Sequence, residues 1–456
     1  MNATLEPMAT ALSTDLYEIT MAAGYEAAGL TDRASFELSV RSLPTCRSYL
    51  IAAGLEPALE YLEKFAFVAS EIEYLRGLGA LKNVEAKFFD ETLPSLRFTG
   101  DVWAVPEGTP VFAHEPLLRI TAPLVEAQLV ETALLSTISF QTSVASRAAR
   151  IVGAADGRPV FEFGARRAHG TDAGVLAARG AYVGGCEGTS MVEAGWRYGL
   201  PVAGTMAHSW VMCFDTETEA YERYMALYGN QAVLLIDTYD SVTGVDRIAR
   251  AGLKPGAVRI DSGDLVAESR LVRSRLDSAG LSETRILVSG DLDEYRIRAL
   301  VRADAPIDGY GVGNALSTVS DAPALGAVYK LVEIERNGQS SPTLKLSDGK
   351  ITYPGRKQVV RLAGESGVYS HDVICLADDH PSGDGHALLD RVMVDGRRTR
   401  GAPELESLQK RTHSELGCFP ESVRDMQQTG QYSIRLSQTL QALITKISGA
   451  LHEAEQ

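Results

Sequence analysis

From about Leu124 to Glu333 the chain repeats one unit: a short apolar run, a polar turn and a helical stretch. The apolar runs are Pro159 to Phe163, Ala181 to Val183, Pro201 to Ala203, Val233 to Ile236, Ala257 to Ile260, Arg285 to Val288, Ile307 to Tyr310 and Ala327 to Val332. Their starts lie about 20 to 32 residues apart, the length of a β-strand plus the helix that returns the chain to the next parallel strand. Seven or eight such units predict an α/β fold, an irregular (β/α) barrel of TIM type. The same spacing also fits an open doubly wound sheet, because periodicity does not distinguish a closed ring from an open edge.

The flanking regions have a different pattern. Residues 1–123 read as an α+β domain. It has a helix opened by Ser13 to Asp15 and closed near Gly29, strands around Ser35 to Val40 and Tyr49 to Ala52, a helix after Pro57, and Pro/Gly-punctuated strands from Trp103 to Thr121. Residues 124–335 are expected to form the barrel. Residues 336–456 return to strands around Thr343 to Leu362, with Asp348-Gly349 as a hairpin turn, and end in a helical pattern over Gln428 to Glu453. This last segment is expected to complete the N-terminal domain.

Charge and cysteine usage narrow the function. Lys and Arg total 44 against 59 Asp and Glu, a net charge of −15 that repels a phosphate backbone and argues against nucleic acid or an anionic membrane as partner. Any anionic ligand must therefore be held by local groups. Cys46, Cys186, Cys213, Cys375 and Cys418 contain no C-x-x-C pair, which supports neither a zinc site nor a disulfide framework and fits a reduced cytoplasm. Asp15 and Glu18 stand where a signal peptide needs an apolar core, and no run approaches the length of a membrane span.

Polar residues gather just after each apolar run of the barrel region, at the face where parallel barrels build their sites. Gly204-Thr205-Met206-Ala207-His208-Ser209-Trp210 places His208 beyond a strand end. A lone histidine there is equally at home hydrogen-bonded in a core, but the other clusters change the balance. They are Arg166, Arg167 and His169; Glu187 to Ser190; Asp237 and Asp240; Arg259, Asp261 and Asp264; Ser289 and Asp291; Gly311, Gly313 and Asn314. Ser-Gly-Asp-Leu occurs twice, at Ser262-Gly263-Asp264-Leu265 and Ser289-Gly290-Asp291-Leu292. Glycine there lets a phosphate approach backbone N–H groups, although Ser, Gly and Asp are also ordinary helix-capping residues. Arg166 and Arg167 suit a bidentate phosphate clamp, Asp261 and Asp264 are candidates for Mg²⁺ or sugar hydroxyls, and Asp237 is expected to orient His208. Structural ion pairing is the alternative for these charges.

Six blocks in order carry a resemblance. They are Thr14-Asp15-Leu16-Tyr17-Glu18, Phe161-Glu162-Phe163-Gly164-Ala165-Arg166-Arg167, Glu187-Gly188-Thr189-Ser190, Gly204 to Ser209, Arg259-Ile260-Asp261-Ser262-Gly263-Asp264 and Val328-Tyr329-Lys330-Leu331-Val332. From about residue 13 onward the chain resembles the nicotinate phosphoribosyltransferases. The resemblance implies that nicotinate and 5-phosphoribosyl 1-pyrophosphate become nicotinate mononucleotide and pyrophosphate in NAD salvage, coupled to ATP hydrolysis with Mg²⁺. It also implies that His208 is the residue phosphorylated by ATP.

By residue match, the resemblance puts Tyr17 and Phe163 on the pyridine faces, with Tyr17 supplied by a second subunit of a homodimer, and Thr205 and Arg259 on the pyridine acid. Where nicotinamide-using relatives carry an aspartate, this chain has Ser190, which donates to a carboxylate instead of repelling it. Two positions depart from the family pattern. Asn314 follows Gly311-Val312-Gly313 where threonine is usual, still able to hydrogen-bond phosphate, and Met191 stands where asparagine is common. A quinolinate- or nicotinamide-using enzyme of the same fold and a non-catalytic metabolite-binding barrel are the alternative readings.

Overall fold

The structure, a computed structural model, describes residues 10–336, 338–345, 352–364, 367–379, 385–426 and 431–454. The chain divides into two compact units, one made of Met1–Ser143 with Ala324–Gln456, the other of Val144–Pro323.

In the first unit the strand Arg33–Val40 lies between Pro116–Pro123 and Ala327–Arg336, antiparallel to both. These belong to a seven-stranded sheet that runs Gln339–Pro342, Ala327–Arg336, Arg33–Val40, Pro116–Pro123, Asp101–Ala104, Asp390–Val394, Arg397–Arg398. Distant segments meet here, since Asp390 pairs with Ala104 and Met393 with Val102. Two strands of the C-terminal segment thus extend this sheet beyond Asp101–Ala104.

A second sheet of this unit, in the order Gly385–Ala387, Lys357–Ala363, Tyr369–Leu376, Ser433–Leu436, encloses Arg361. That guanidinium is fully buried, forked onto Asp372 and ringed by Phe112, Tyr369 and Phe419. Two sequence expectations change here. Residues 433–436 form a strand parallel to Tyr369–Leu376, and the final helix starts only at Gln438. Ala327–Val332, assigned from its spacing to the barrel, is an edge-facing part of the antiparallel sheet. Only Tyr329 and Val332 of this stretch are buried, which suits a sheet with one covered face, unlike the continuous burial of a parallel strand. The Asp348-Gly349 turn lies outside the described residues.

The second unit is a parallel sheet in the order Gly188–Thr189, Val160–Glu162, Gly309–Val312, Arg285–Val288, Ala257–Ile260, Val233–Leu235. Val202 adds a single parallel bridge to Thr189. Seven strand positions therefore curl into a half-barrel, with Val202 at one end and Val233–Leu235 at the other. Helices Thr171–Val183, Ser241–Arg250, Leu265–Ser278 and Glu294–Arg302 return the chain between strands.

One predicted strand was misplaced. Ala181–Val183 is the last turn of the helix Thr171–Val183, and its strand starts at Gly188. The seven consecutive residues from Ala177 to Val183 are all buried, so this stretch lacks the polar face that marks a surface helix and reads as an apolar strand. Pro201 and Gly204 flank the other short element and leave only Val202 to pair.

Candidate active site

The carboxyl ends of the parallel strands bring His208, Arg259 and Asp261 together. Thr205 to Ala207 lead from Val202 into the short helix His208–Met212, so the imidazole sits at the helix start, about two-fifths exposed. Its Nδ1 lies 3.2 Å from Thr238 Oγ1, and its Nε2 faces Asp261 Oδ2 at 3.9 Å. With Thr238 as the near partner of Nδ1, Nε2 is the nitrogen turned toward the acid.

The expected partnership of Asp237 with His208 is not what the fold builds. Asp237 Oδ2 accepts the Asp261 N–H at 2.9 Å and the Ser262 hydroxyl at 2.8 Å, tying two neighbouring strand ends together. Asp237 and Thr238 both lie in the loop after the Val233–Leu235 strand, where neighbouring side chains take different partners. Thr238 takes the imidazole and Asp237 the next loop.

Arg259 is the hub on the other side. Nη1 donates to Thr205 Oγ1 and to the Met206 carbonyl at 3.2 Å, while Nη2 lies 3.5 Å from Asp261 Oδ1. Asp261 Oδ1 also accepts from the Ser289 hydroxyl. The guanidinium is largely buried, and its Nε has no hydrogen-bond partner, so the group is oriented by the Thr205–Met206 segment and Asp261.

The two Ser-Gly-Asp-Leu copies have different structural uses. Gly290 sits at φ +97°, and a Cβ there would collide with the Asp261 carbonyl oxygen. Gly263 sits at φ +85° but a Cβ would meet only Glu268 Cγ, at 3.5 Å, so its surroundings stay open to a ligand. Gly290→Ala is expected to lower stability by about 1–3 kcal/mol, from left-handed strain plus the collision, and to cut activity by displacing Asp261. Thermal denaturation beside a rate measurement checks this; a stable, fully active variant would contradict it.

Asp264 caps the helix Leu265–Ser278, its Oδ1 accepting from the N–H groups of Val266 at 3.1 Å and Ala267 at 3.2 Å. The cap engages Oδ1 alone and leaves Oδ2 of this exposed residue open, so Asp264 stays a candidate Mg²⁺ ligand beside Asp261, and Asp237 joins them. Asp237 Oδ1 is buried with no hydrogen-bond partner, the kind of orphan acceptor that suits a cation. Among the described residues no group of three or more His, Cys, Asp or Glu is set to hold a metal. Mg²⁺ shared with substrate phosphates needs only one or two carboxylates.

The remaining candidates line the neighbouring strand ends. Phe163 lies against Gly311, where a Cβ would come within 2.6 Å of the ring, so glycine makes room for the aromatic. Arg166 and Arg167 are exposed in the turn Ala165–Arg167, without an ion pair among the described residues. Ser190 is exposed, and its N–H donates to the Glu162 carbonyl at 2.9 Å. Asp291 is exposed at φ +48°, its carbonyl accepting from Arg296 at 2.8 Å. Asn314 is exposed at the first position of the helix Asn314–Ser317, next to Gly313.

Tyr17 belongs to the first unit, on the helix Leu16–Ala27, and is 46% exposed. Partial burial and the nearby Glu131 and Glu18 push its phenol upward, so it stays neutral. Sequence reasoning gave no role to Thr238 or to Glu162. The signal for Glu162 was present as a carboxylate between Phe161 and Phe163 in an apolar run, where an unpaired charge is costly.

A family model described as the nicotinate phosphoribosyltransferase (NAPRTase) N-terminal domain matches residues 12–139. A nicotinate phosphoribosyltransferase of Mycobacterium tuberculosis is 45% identical over 448 residues, covering 96% of this chain and 94% of that protein. One from Bacillus subtilis is 42% identical, covering 85% of this chain and 78% of its own. The crystal structure of human nicotinic acid phosphoribosyltransferase superposes with a TM-score of 0.84 at 28% identity, over 95% of this chain and 99% of that one. A nicotinate-nucleotide pyrophosphorylase from Pyrococcus furiosus shares the fold, with a TM-score of 0.71 at 24% identity, over 89% of this chain and 95% of that one.

Proposed function

Because the chain belongs to the nicotinate phosphoribosyltransferase family, we propose that it joins nicotinate to 5-phosphoribosyl 1-pyrophosphate in NAD salvage, with ATP hydrolysis coupled through His208. The pyridine nitrogen supplies the electron pair for the new bond to ribose C1, and the C1–oxygen bond breaks with its electrons leaving on pyrophosphate. Nicotinate mononucleotide and pyrophosphate result. Separately, ATP and water give ADP and phosphate by way of phosphorylated His208.

The observation that carries this reading is the meeting of His208, Arg259 and Asp261 within one rim, from strand ends far apart in sequence. In it, Arg259 with Thr205 holds the nicotinate carboxylate through charge-assisted hydrogen bonds. Phe163 offers one ring face, and Tyr17 of a second subunit the other, in a homodimer with shared sites. The exposed Arg166 and Arg167 clamp phosphate. Ser262, Gly263, Ser289, Gly290, Asp291, Gly311, Gly313 and Asn314 line the path of the sugar pyrophosphate. Mg²⁺ held by Asp261 with Asp237 or Asp264 would neutralise the departing oxygens. Phosphorylation of His208 adds negative charge and acceptor oxygens beside Asp261, which reorders the surrounding loops.

The test is product formation with and without ATP. Nicotinate mononucleotide should form from nicotinate and rise with ATP; formation from quinolinate, without ATP stimulation, would replace the reading with the decarboxylating reaction. Among the described residues no helix is long and apolar enough to cross a membrane. Acid over amide specificity rests on Ser190. Ser190→Asp should weaken nicotinate far more than nicotinamide, because a carboxylate at that place repels the acid at short range. Kinetics on both substrates check this, and an unchanged preference would remove Ser190 from specificity.

A further inference from the structure

Glu162 is fully buried, and among the described residues no cation pairs with it. A buried carboxylate without a cation is expensive and persists where hydrogen bonds satisfy it. Its Oε1 accepts the Gly164 N–H, and its Oε2 accepts the Thr189 hydroxyl at 2.6 Å. The main-chain carbonyl of the same residue accepts the Ser190 N–H at 2.9 Å. Thr189 Oγ1 in turn accepts the Met191 N–H at 2.9 Å. One side chain therefore joins the turn that carries Phe163, Arg166 and Arg167 to the loop that carries Ser190.

A third loop is drawn in through Gly164. A Cβ on Gly164 would collide with Ser317 Oγ and come within 2.7 Å of the Gly313 carbonyl, and Phe163 N donates to the Val312 carbonyl at 2.7 Å. The closeness of these backbones requires Gly164 to be held in one place, and its N–H is pinned by Glu162. Only a carboxylate presents two acceptor oxygens to two donors at this point; an amide presents one. Burial raises the carboxyl above its usual range, while the two hydrogen bonds oppose that rise.

The geometry points to Glu162 as a positioning residue for substrate binding: its carboxylate sets the relative placement of the Phe163–Arg167 turn and the Thr189–Met191 loop. This rests on the reading of those loops as the nicotinate and phosphate side of the site. Glu162 touches no reacting atom in that reading, so its loss should act on binding and spare the chemistry at His208.

The experiment pairs Glu162→Gln with Thr189→Val and Thr189→Ser in the full-length enzyme. Glu162→Gln is expected to raise KM for nicotinate about tenfold while kcat stays within about threefold, the size of one lost hydrogen bond to a charged group. Thr189→Val should reproduce the effect, Thr189→Ser should restore the wild-type value, and the Glu162→Gln, Thr189→Val double variant should be no worse than the poorer single one. Amide hydrogen exchange, read without turnover, should speed up at Gly164 and Ser190 in Glu162→Gln. A KM within twofold of wild type with unchanged exchange at both amides would overturn the inference, as would additive single effects. If wild type made no nicotinate mononucleotide, the functional reading would fall, and the exchange measurement would still decide whether Glu162 clamps the two loops.

Discussion

His208→Ala should abolish ATP stimulation of nicotinate mononucleotide formation and leave a slow, ATP-independent transfer. The imidazole is the group at this rim whose nitrogen both faces an acid and is exposed enough to accept a phosphoryl group. Thr238 holds Nδ1 at 3.2 Å, so the reactive face is already presented before ATP arrives. Alanine removes the acceptor nitrogen and changes little packing, because the side chain is partly exposed and makes one side-chain hydrogen bond. A loss of about 10²–10⁴ in the ATP-stimulated rate is expected, the range a positioned catalytic imidazole commands. Phosphohistidine detection and steady-state kinetics with varied ATP check this. Full ATP-stimulated turnover in the variant would remove His208 from the reaction.

Arg259→Lys should be nearly as damaging despite keeping the charge. The guanidinium spans Thr205, the Met206 carbonyl and Asp261 at once, and a lysine ammonium is a point charge that cannot fork across these partners. Two consequences follow from one substitution. The Thr205–Ala207 segment that leads into His208 loses its anchor, and the proposed carboxylate partner of nicotinate is displaced. kcat/KM for nicotinate should fall about 100-fold or more, equivalent to about 2.7 kcal/mol of transition-state binding. The melting temperature should move little, because Asp261 keeps its bond to Ser289. A kcat/KM within about threefold of wild type would show that neither role belongs to Arg259.

Strands with distinct apolar runs and β-branched residues, such as Ala257–Ile260 and Arg285–Val288, appear at their predicted positions. Ala181–Val183 does not, because the last two turns of its helix are buried on all sides and lose the periodicity that distinguishes a helix from a strand. Ala327–Val332 has strand character in sequence, but which sheet receives it depends on Arg33–Val40 and its hydrogen-bonding edge, nearly 300 residues away in the chain. At the site, the residue types and their positions after each strand were readable, since loops at strand ends are where polar groups face a ligand. Their pairings were not.

Local chemistry in the sequence therefore determined the repeating strand–helix units, the polar clusters at the strand ends and the identity of the charged groups gathered there. Tertiary structure decided that the sheet curls as a half-barrel with Val202 and Val233–Leu235 at its ends, that Thr238 and not Asp237 meets His208, and that Gly290 serves the Asp261 backbone. The division has one physical cause. Backbone propensity and capping act over a few residues, whereas hydrogen bonds between strand ends depend on register and side-chain direction, which are set only when distant segments pack.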